Sequence, residues 1–142
     1  MVLATADAEG VPWASPVYFA ADGYRDFYWV STPAATHSQN VAARPQVGIV
    51  VFDSGAAVGD GQGVYMRADA EEVGDDEMQR GLEVFSLRSR SHGGRPWTTD
   101  DVTGEAPYRL YRARASEYSM LAKDDAPDHR VPVDVSEGGP AT

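Results

Sequence analysis

Thr36-His37-Ser38-Gln39-Asn40 brings two hydroxyls, an imidazole and two amides to the point where a short polar helix is expected to begin, just after Ser31. Hydroxyls donate one hydrogen bond each, and an imidazole donates from one or both nitrogens according to its protonation. A helix N-terminus adds backbone N–H groups that have no intrahelical acceptor and the positive end of the macrodipole. Together these define a place where a phosphate or carboxylate could be held. The same residues have a plainer use. Ser31 and Ser38 could serve as turn and capping hydroxyls, and His37 as a polar residue on a surface helix.

The elements that would position this group are short. Leu3 to Ala6 is an apolar run closed by Asp7-Ala8-Glu9-Gly10, a hairpin turn with glycine at its end. Trp13 to Phe19 alternates, with Trp13, Ser15, Val17 and Phe19 on one face, and Pro16 forces an edge or a bulge there. Phe27 to Ser31 is dense in β-formers and stops before Pro33. Residues 36–43 make two helical turns ended by Pro45. Val47 to Phe52 is near-continuously apolar, which predicts a strand buried on both faces. After a glycine-rich loop, Val64 to Val73 alternates again. Met78, Leu82 and Phe85 then follow helical spacing, with Asp75 as N-cap and Gly93-Gly94 as the stop. Residues 97–107 read as loop and Tyr108 to Leu121 as a long last strand.

The sum is about six strands and two helices, with sequence neighbours joined by tight turns. An antiparallel sheet of this kind must curl to hide its edges, so a mainly β, barrel-like domain over residues 1–122 is expected. Residues 123–142 are acidic and proline-rich and are expected to form a flexible tail. A length of 142 residues suits one domain, and the net charge of -10 argues against nucleic acid or an anionic membrane as partner. With no cysteine there is no disulfide, thiolate nucleophile or cysteine-bound metal. Met1 to Asp7 lacks the features of a secretion leader and no run is long enough to span a bilayer, so a cytoplasmic protein is expected.

Gly10-Val11-Pro12, Ser15-Pro16-Val17-Tyr18-Phe19, Phe27-Tyr28-Trp29-Val30-Ser31, His37-Ser38-Gln39-Asn40 and Pro45-Gln46-Val47 occur in an order that resembles the pyridoxamine 5'-phosphate oxidase-like family of FMN-binding split β-barrels. The resemblance runs over residues 3 to 122. It implies a six-stranded antiparallel split barrel with two helices, working as a homodimer with a flavin between the subunits, and an oxidoreductase acting on a small molecule. The cofactor-contacting set it implies is Ser15, Pro16, Val17, Trp29, Ser31, Thr36, His37, Ser38, Asn40, Gln62 and Gly63, with Gln62-Gly63 at the isoalloxazine ring.

Several positions depart from the family pattern. Ser15 and Ala20 stand where the family has an arginine and a lysine on strand two, and Thr36-His37 replaces an arginine–lysine pair. Neutral donors hold phosphate less strongly than charged ones. This leaves open FMN, a deazaflavin, a non-catalytic flavin or haem carrier, and a barrel that has lost its cofactor. The sequence offers no catalytic acid or base and no metal site. Trp29 is either near a flavin ring or a core or dimer residue. Arg88, Arg90, His92 and Arg95 either complement the second helix's dipole or clamp a substrate carboxylate or phosphate.

Overall fold

The computed structural model describes residues 1–136. The eight strands are β1 (Val2–Ala6), β2 (Pro12–Pro16), β3 (Ala20–Asp22), β4 (Asp26–Ser31), β5 (Gln46–Phe52), β6 (Gly63–Glu72), β7 (Arg109–Leu121) and β8 (Arg130–Pro132). Helix α1 (Thr36–Ala43) lies between β4 and β5, and helix α2 (Asp75–Ser91) between β6 and β7. All pairings are antiparallel, in the order β2-β1-β5-β6-β7-β4-β3, with β8 on β7.

Two short strands beyond the expected six account for the difference in count. The run expected as one strand from Trp13 to Phe19 is β2 as far as Pro16, on an edge of the sheet where a missing N–H removes no ladder bond, and Val17 still exchanges hydrogen bonds with Met1 beyond it. The strands on either side of residues 17–19, β2 and β3, are the two opposite edges of the sheet. Laid flat, seven strands would put those edges about 29 Å apart. Residues 17–19 bridge them with a reach of about 14 Å at most. The sheet therefore has to curl, with its seam closed by covalent chain instead of hydrogen bonds, which is a split barrel. The second added strand, β8, belongs to the acidic segment and pairs with Ser119 to Leu121. Residues 137–142 of that segment lie outside the described residues.

The barrel interior holds Leu3, Phe27, Trp29, Val47, Ile49, Met66 and Tyr111. A second core lies outside the barrel wall, where Met78, Leu82 and Phe85 of α2 pack on Ala20, Tyr28 and Leu110. The helical spacing of those three residues was the correct signal, and burying each contributes on the order of 1.5–3 kcal/mol. Because α2 covers its outer face, β4 is the strand buried on both sides. The apolar run from Val47 to Phe52 was expected to be so, but it is not. Only Val47 and Ile49 of β5 are buried, while Gly48 and Val50 lie half-buried on the outer face. Asp75 is also not the N-cap of α2. Gly74 holds that position without a side-chain bond, and Asp75, Asp76 and Glu77 fill the first turn.

A buried arginine ties α2 to the sheet. Arg112 of β7 is 7% exposed and donates to Glu71 of β6 and to Glu77 of α2. Helix α2 approaches the sheet closely at Gly81. A Cβ there would meet Leu110 Cδ2 at 2.8 Å and Tyr28 Cε1 at 2.9 Å. Replacing a mid-helix glycine by alanine ordinarily stabilises by about 1 kcal/mol. At Gly81 overpacking should reverse the sign, so Gly81→Ala is expected to destabilise by about 1–2 kcal/mol in denaturant unfolding. A gain in stability would show that α2 does not seat on the sheet as described.

Candidate functional site

Barrel closure brings three separate pieces of sequence to one end of the molecule. The ends of β4 and β6 and the starts of β5 and β7 meet there, and α1 lies across the opening. His37, on the first turn of α1, shares a hydrogen bond of 2.8 Å between its Nε2 and Ser31 Oγ of β4. Its Nδ1 lies 3.3 Å from Ser15 Oγ of β2. Ser15 Oγ also accepts from Trp13 Nε1 at 2.9 Å. A chain of polar groups, Trp13–Ser15–His37–Ser31, therefore crosses from one sheet edge to the end of β4.

Helix α1 is placed by its other side. Asn40 Nδ2 donates to Thr5 Oγ1 of β1 at 3.0 Å in a buried bond, and Val41 is buried in the barrel core. Arg44, just past the helix, donates to the Asp7 and Ala8 carbonyls and fixes the β1–β2 turn. At the helix start, Ala35 is the N-cap and supplies no side-chain bond. The first helical N–H with an acceptor is that of Gln39, to Ala35 O, which leaves the N–H groups of Thr36, His37 and Ser38 free among the described residues.

Ser38 is 3% exposed, and its Oγ has no hydrogen-bond partner among the described residues. The Tyr111 hydroxyl lies near enough for Ser38 to ease the rise that burial imposes on the tyrosine's pKa, but not in hydrogen-bond geometry. Orphaned buried hydroxyls are rare because each costs about 1–3 kcal/mol. Burial also lowers the pKa of His37 below its ordinary value, so the imidazole is neutral at pH 7. The site is thus a neutral donor set at a helix start. It can receive the terminal group of an anion and relay a hydrogen bond, but it carries no positive charge of its own.

The remaining residues expected at the site fall in different places. Pro16 is exposed at the end of β2 and Val17 is half-buried in the seam. Trp29 is fully buried and stacked on Tyr111, with ring centroids 5.6 Å apart, so it is core. Gln62 and Gly63 sit at the other end of the barrel, where Gln62 Nε2 donates to Leu121 O. Along β5 that end lies about 20 Å from the α1 end. Within one chain Gln62 and Gly63 do not join Ser31 and His37. Trp13 completes the polar chain and Thr5 anchors Asn40 on the other side of α1, and neither was singled out from the sequence. The strand alternation that put Trp13 on the Ser15 face was the signal for the first, and nothing local marked the second.

The chain belongs to the pyridoxamine 5'-phosphate oxidase family, whose model matches residues 1–128. Among curated proteins, none matches it significantly. Solved structures share the fold. A haem-binding protein from Mycobacterium smegmatis superposes with a TM-score of 0.69 at 18% identity, over 92% of this chain and 51% of that one. This chain therefore spans about half the length of that relative. An FAD-binding protein from Mesorhizobium loti gives 0.62 at 22% identity, covering 84% and 82% of the two chains. An F420 reductase gives 0.59 at 22% identity, covering 83% and 86%.

The lowered pKa of His37 has a pH consequence. An unfolded histidine takes up its proton near pH 6.5, whereas the folded one resists it. The stability this confers is complete above about pH 6.5 and declines as the pH falls through the unfolded and then the folded pKa. His37→Asn should flatten the pH dependence of thermal stability between about pH 6.5 and 5. An unchanged slope in that window would mean that His37 is not held neutral in the fold.

Proposed function

We propose that the protein is a flavin-dependent oxidoreductase of the pyridoxamine 5'-phosphate oxidase-like type, with FMN or a deazaflavin held at the α1 end of the barrel. The observation that carries the reading is the convergence of Ser15, Ser31 and His37 on the free N–H groups of α1. This donor set fits a phosphate terminus, because it offers hydroxyls, an imidazole and a helix start. The unpartnered Ser38 hydroxyl beside it supports the same reading.

In this reading Ser31, Thr36 and the first-turn N–H groups bind the anionic end. His37 passes a hydrogen bond between Ser15 and Ser31 and holds both hydroxyls in place. The Tyr111–Trp29 stack and the α1 packing keep water out of the barrel end behind them. A bound flavin would supply the hydride or electron transfer itself. Because the donors are neutral, affinity should fall below what arginine and lysine ligands would give.

A homodimer belongs to the proposal. The outer face of β1, β5 and β6 carries small or apolar residues, Ala4, Gly48 and Val50, that stay exposed or half-buried among the described residues, beside Tyr65, on which Arg130 of β8 lies. Packing a second copy there is the way Gln62 and Gly63 could contribute to a site that their own chain keeps them from. A non-catalytic haem carrier is the second reading, favoured by the neutrality of His37, since neutral imidazole is the haem ligand. That reading requires one ring nitrogen to leave Ser31 or Ser15.

Purified protein incubated with FMN or F420 should bind one molecule per subunit and show flavin or deazaflavin absorbance. The bound cofactor should be reduced by a nicotinamide or a substrate faster than free cofactor. Binding of haem in preference to both would favour the carrier, and failure to bind any of the three at micromolar concentration would end both readings. His37→Ala should weaken cofactor binding by about three- to tenfold, the equivalent of one net hydrogen bond.

A further inference from the structure

The acidic segment expected as a flexible tail folds back on the barrel as far as Ser136. β8 pairs with the end of β7 in the register Ser119–Pro132, Met120–Val131 and Leu121–Arg130. Beyond it, Val133 N–H donates to Tyr118 O at 2.9 Å. Residues Pro132 to Ser136 then line the same cavity, of about 1120 Å³, as Ala4, Gly48 and Val50 of the outer face. At the start of this strap the Arg130 guanidinium lies 3.8 Å from the centre of the Tyr65 ring. Tyr65 in turn reaches back to Gly63, where a Cβ would lie 3.6 Å from its Cε2. Gln62 beside it donates to the carbonyl of Leu121, the residue paired with Arg130.

The strap has the construction of a cover that can leave. Helix α2, a permanent cover, buries Met78, Leu82 and Phe85. In the strap all three residues of β8 are exposed, and Val133 and Val135 are only half-buried. The cavity left beside it shows that strap and face do not reach the close packing of an interior, so dispersion contacts are lost along it. A short ladder and one cation–π contact at an exposed site hold it, and the latter is weak. Pro132 also settles how a second copy can approach. The Val133–Tyr118 bond makes Ser119–Pro132 a pair without ladder hydrogen bonds, so Pro132 turns its nitrogen to the free edge. A proline there blunts that edge against another strand. A second copy therefore meets the face and not the edge.

We propose that the strap Arg130–Ser136 is a self-inhibitory cover of the dimer face, which two copies of this chain must both release before they pair. The proposal rests on the homodimer reading and adds its regulation. The reason is steric. Arg130 occupies the Tyr65 ring, and the strap beyond it stands in the cavity bounded by Ala4, Gly48 and Val50. With the strap closed, Gln62 and Gly63 stay engaged within their own chain. Because both straps must open, the apparent dimerisation constant follows the square of the open fraction.

Sedimentation equilibrium over a concentration series tests this on the full chain, with no flavin present, so that cofactor binding does not enter. The sequence has no cysteine, so Met120→Cys with Val131→Cys introduces a single cross-strand disulfide. Such antiparallel partners lie about 5.5 Å apart, within disulfide reach, and neither residue lines the cavity. Oxidation pins the strap shut and should raise the dimer dissociation constant at least about tenfold over the same protein reduced. Arg130→Ala should loosen the strap about two- to fivefold and tighten the dimer by the square of that, about four- to twenty-five-fold. Circular dichroism confirms that each variant is folded. Equal association of the oxidised and reduced forms, or a dimer no tighter in Arg130→Ala, would overturn the strap and leave the homodimer standing. Monomers in every form at high micromolar concentration would end the homodimer reading and the strap with it.

Discussion

The structure depends on a covalent constraint at residues 17–19. Strands β2 and β3 are the two opposite edges of the sheet, and these three residues are all that join them. That short tether makes an open sheet impossible. Closure follows from chain geometry, and the two hydrophobic cores follow from closure, one inside the wall and one between the wall and α2.

The candidate site is a consequence of the same seam. Ser15 is on an edge strand, Ser31 is at the far end of β4, and His37 is on the helix over the opening. Only a closed barrel puts them within hydrogen-bond distance. The chemistry of the site reflects its burial. Charged groups at a half-buried barrel mouth would carry a desolvation cost when empty, whereas the neutral donors here carry less and attract anions less strongly. The membership of the oxidase family and the departures of Ser15, Ala20 and Thr36-His37 from its pattern fit together in this light. In the proposed reading an anion site keeps its framework while its electrostatic strength is lowered.

Much of this was legible in the sequence. Helix α2 and its buried face were readable because Met78, Leu82 and Phe85 carry an unambiguous period. The α1 start and its link to Ser31 were readable because hydroxyls and a histidine cluster beside a proline stop. Burial on both faces was assigned to Val47–Phe52 and belongs to β4. Apolar content does not reveal which strand a distant helix will cover, and α2 is more than forty residues from β4 in sequence. Gln62 and Trp29 were grouped with His37 by resemblance, and only the register of β5 with β6 separates Gln62, while only the Tyr111 stack makes Trp29 core. Contacts at long sequence separation, such as Asn40 with Thr5 and Trp13 with the His37 cluster, have no local signature.

The central claim is that the neutral cluster at α1 recognises the phosphate end of a flavin. The affinity of the protein for FMN relative to riboflavin, which differ by that phosphate alone, measures this directly in the wild type and in Ser31→Ala. The account predicts that FMN binds about fivefold or more tighter than riboflavin and that Ser31→Ala erases most of the difference. Equal affinities for the two in the wild type, or binding of neither, would contradict it.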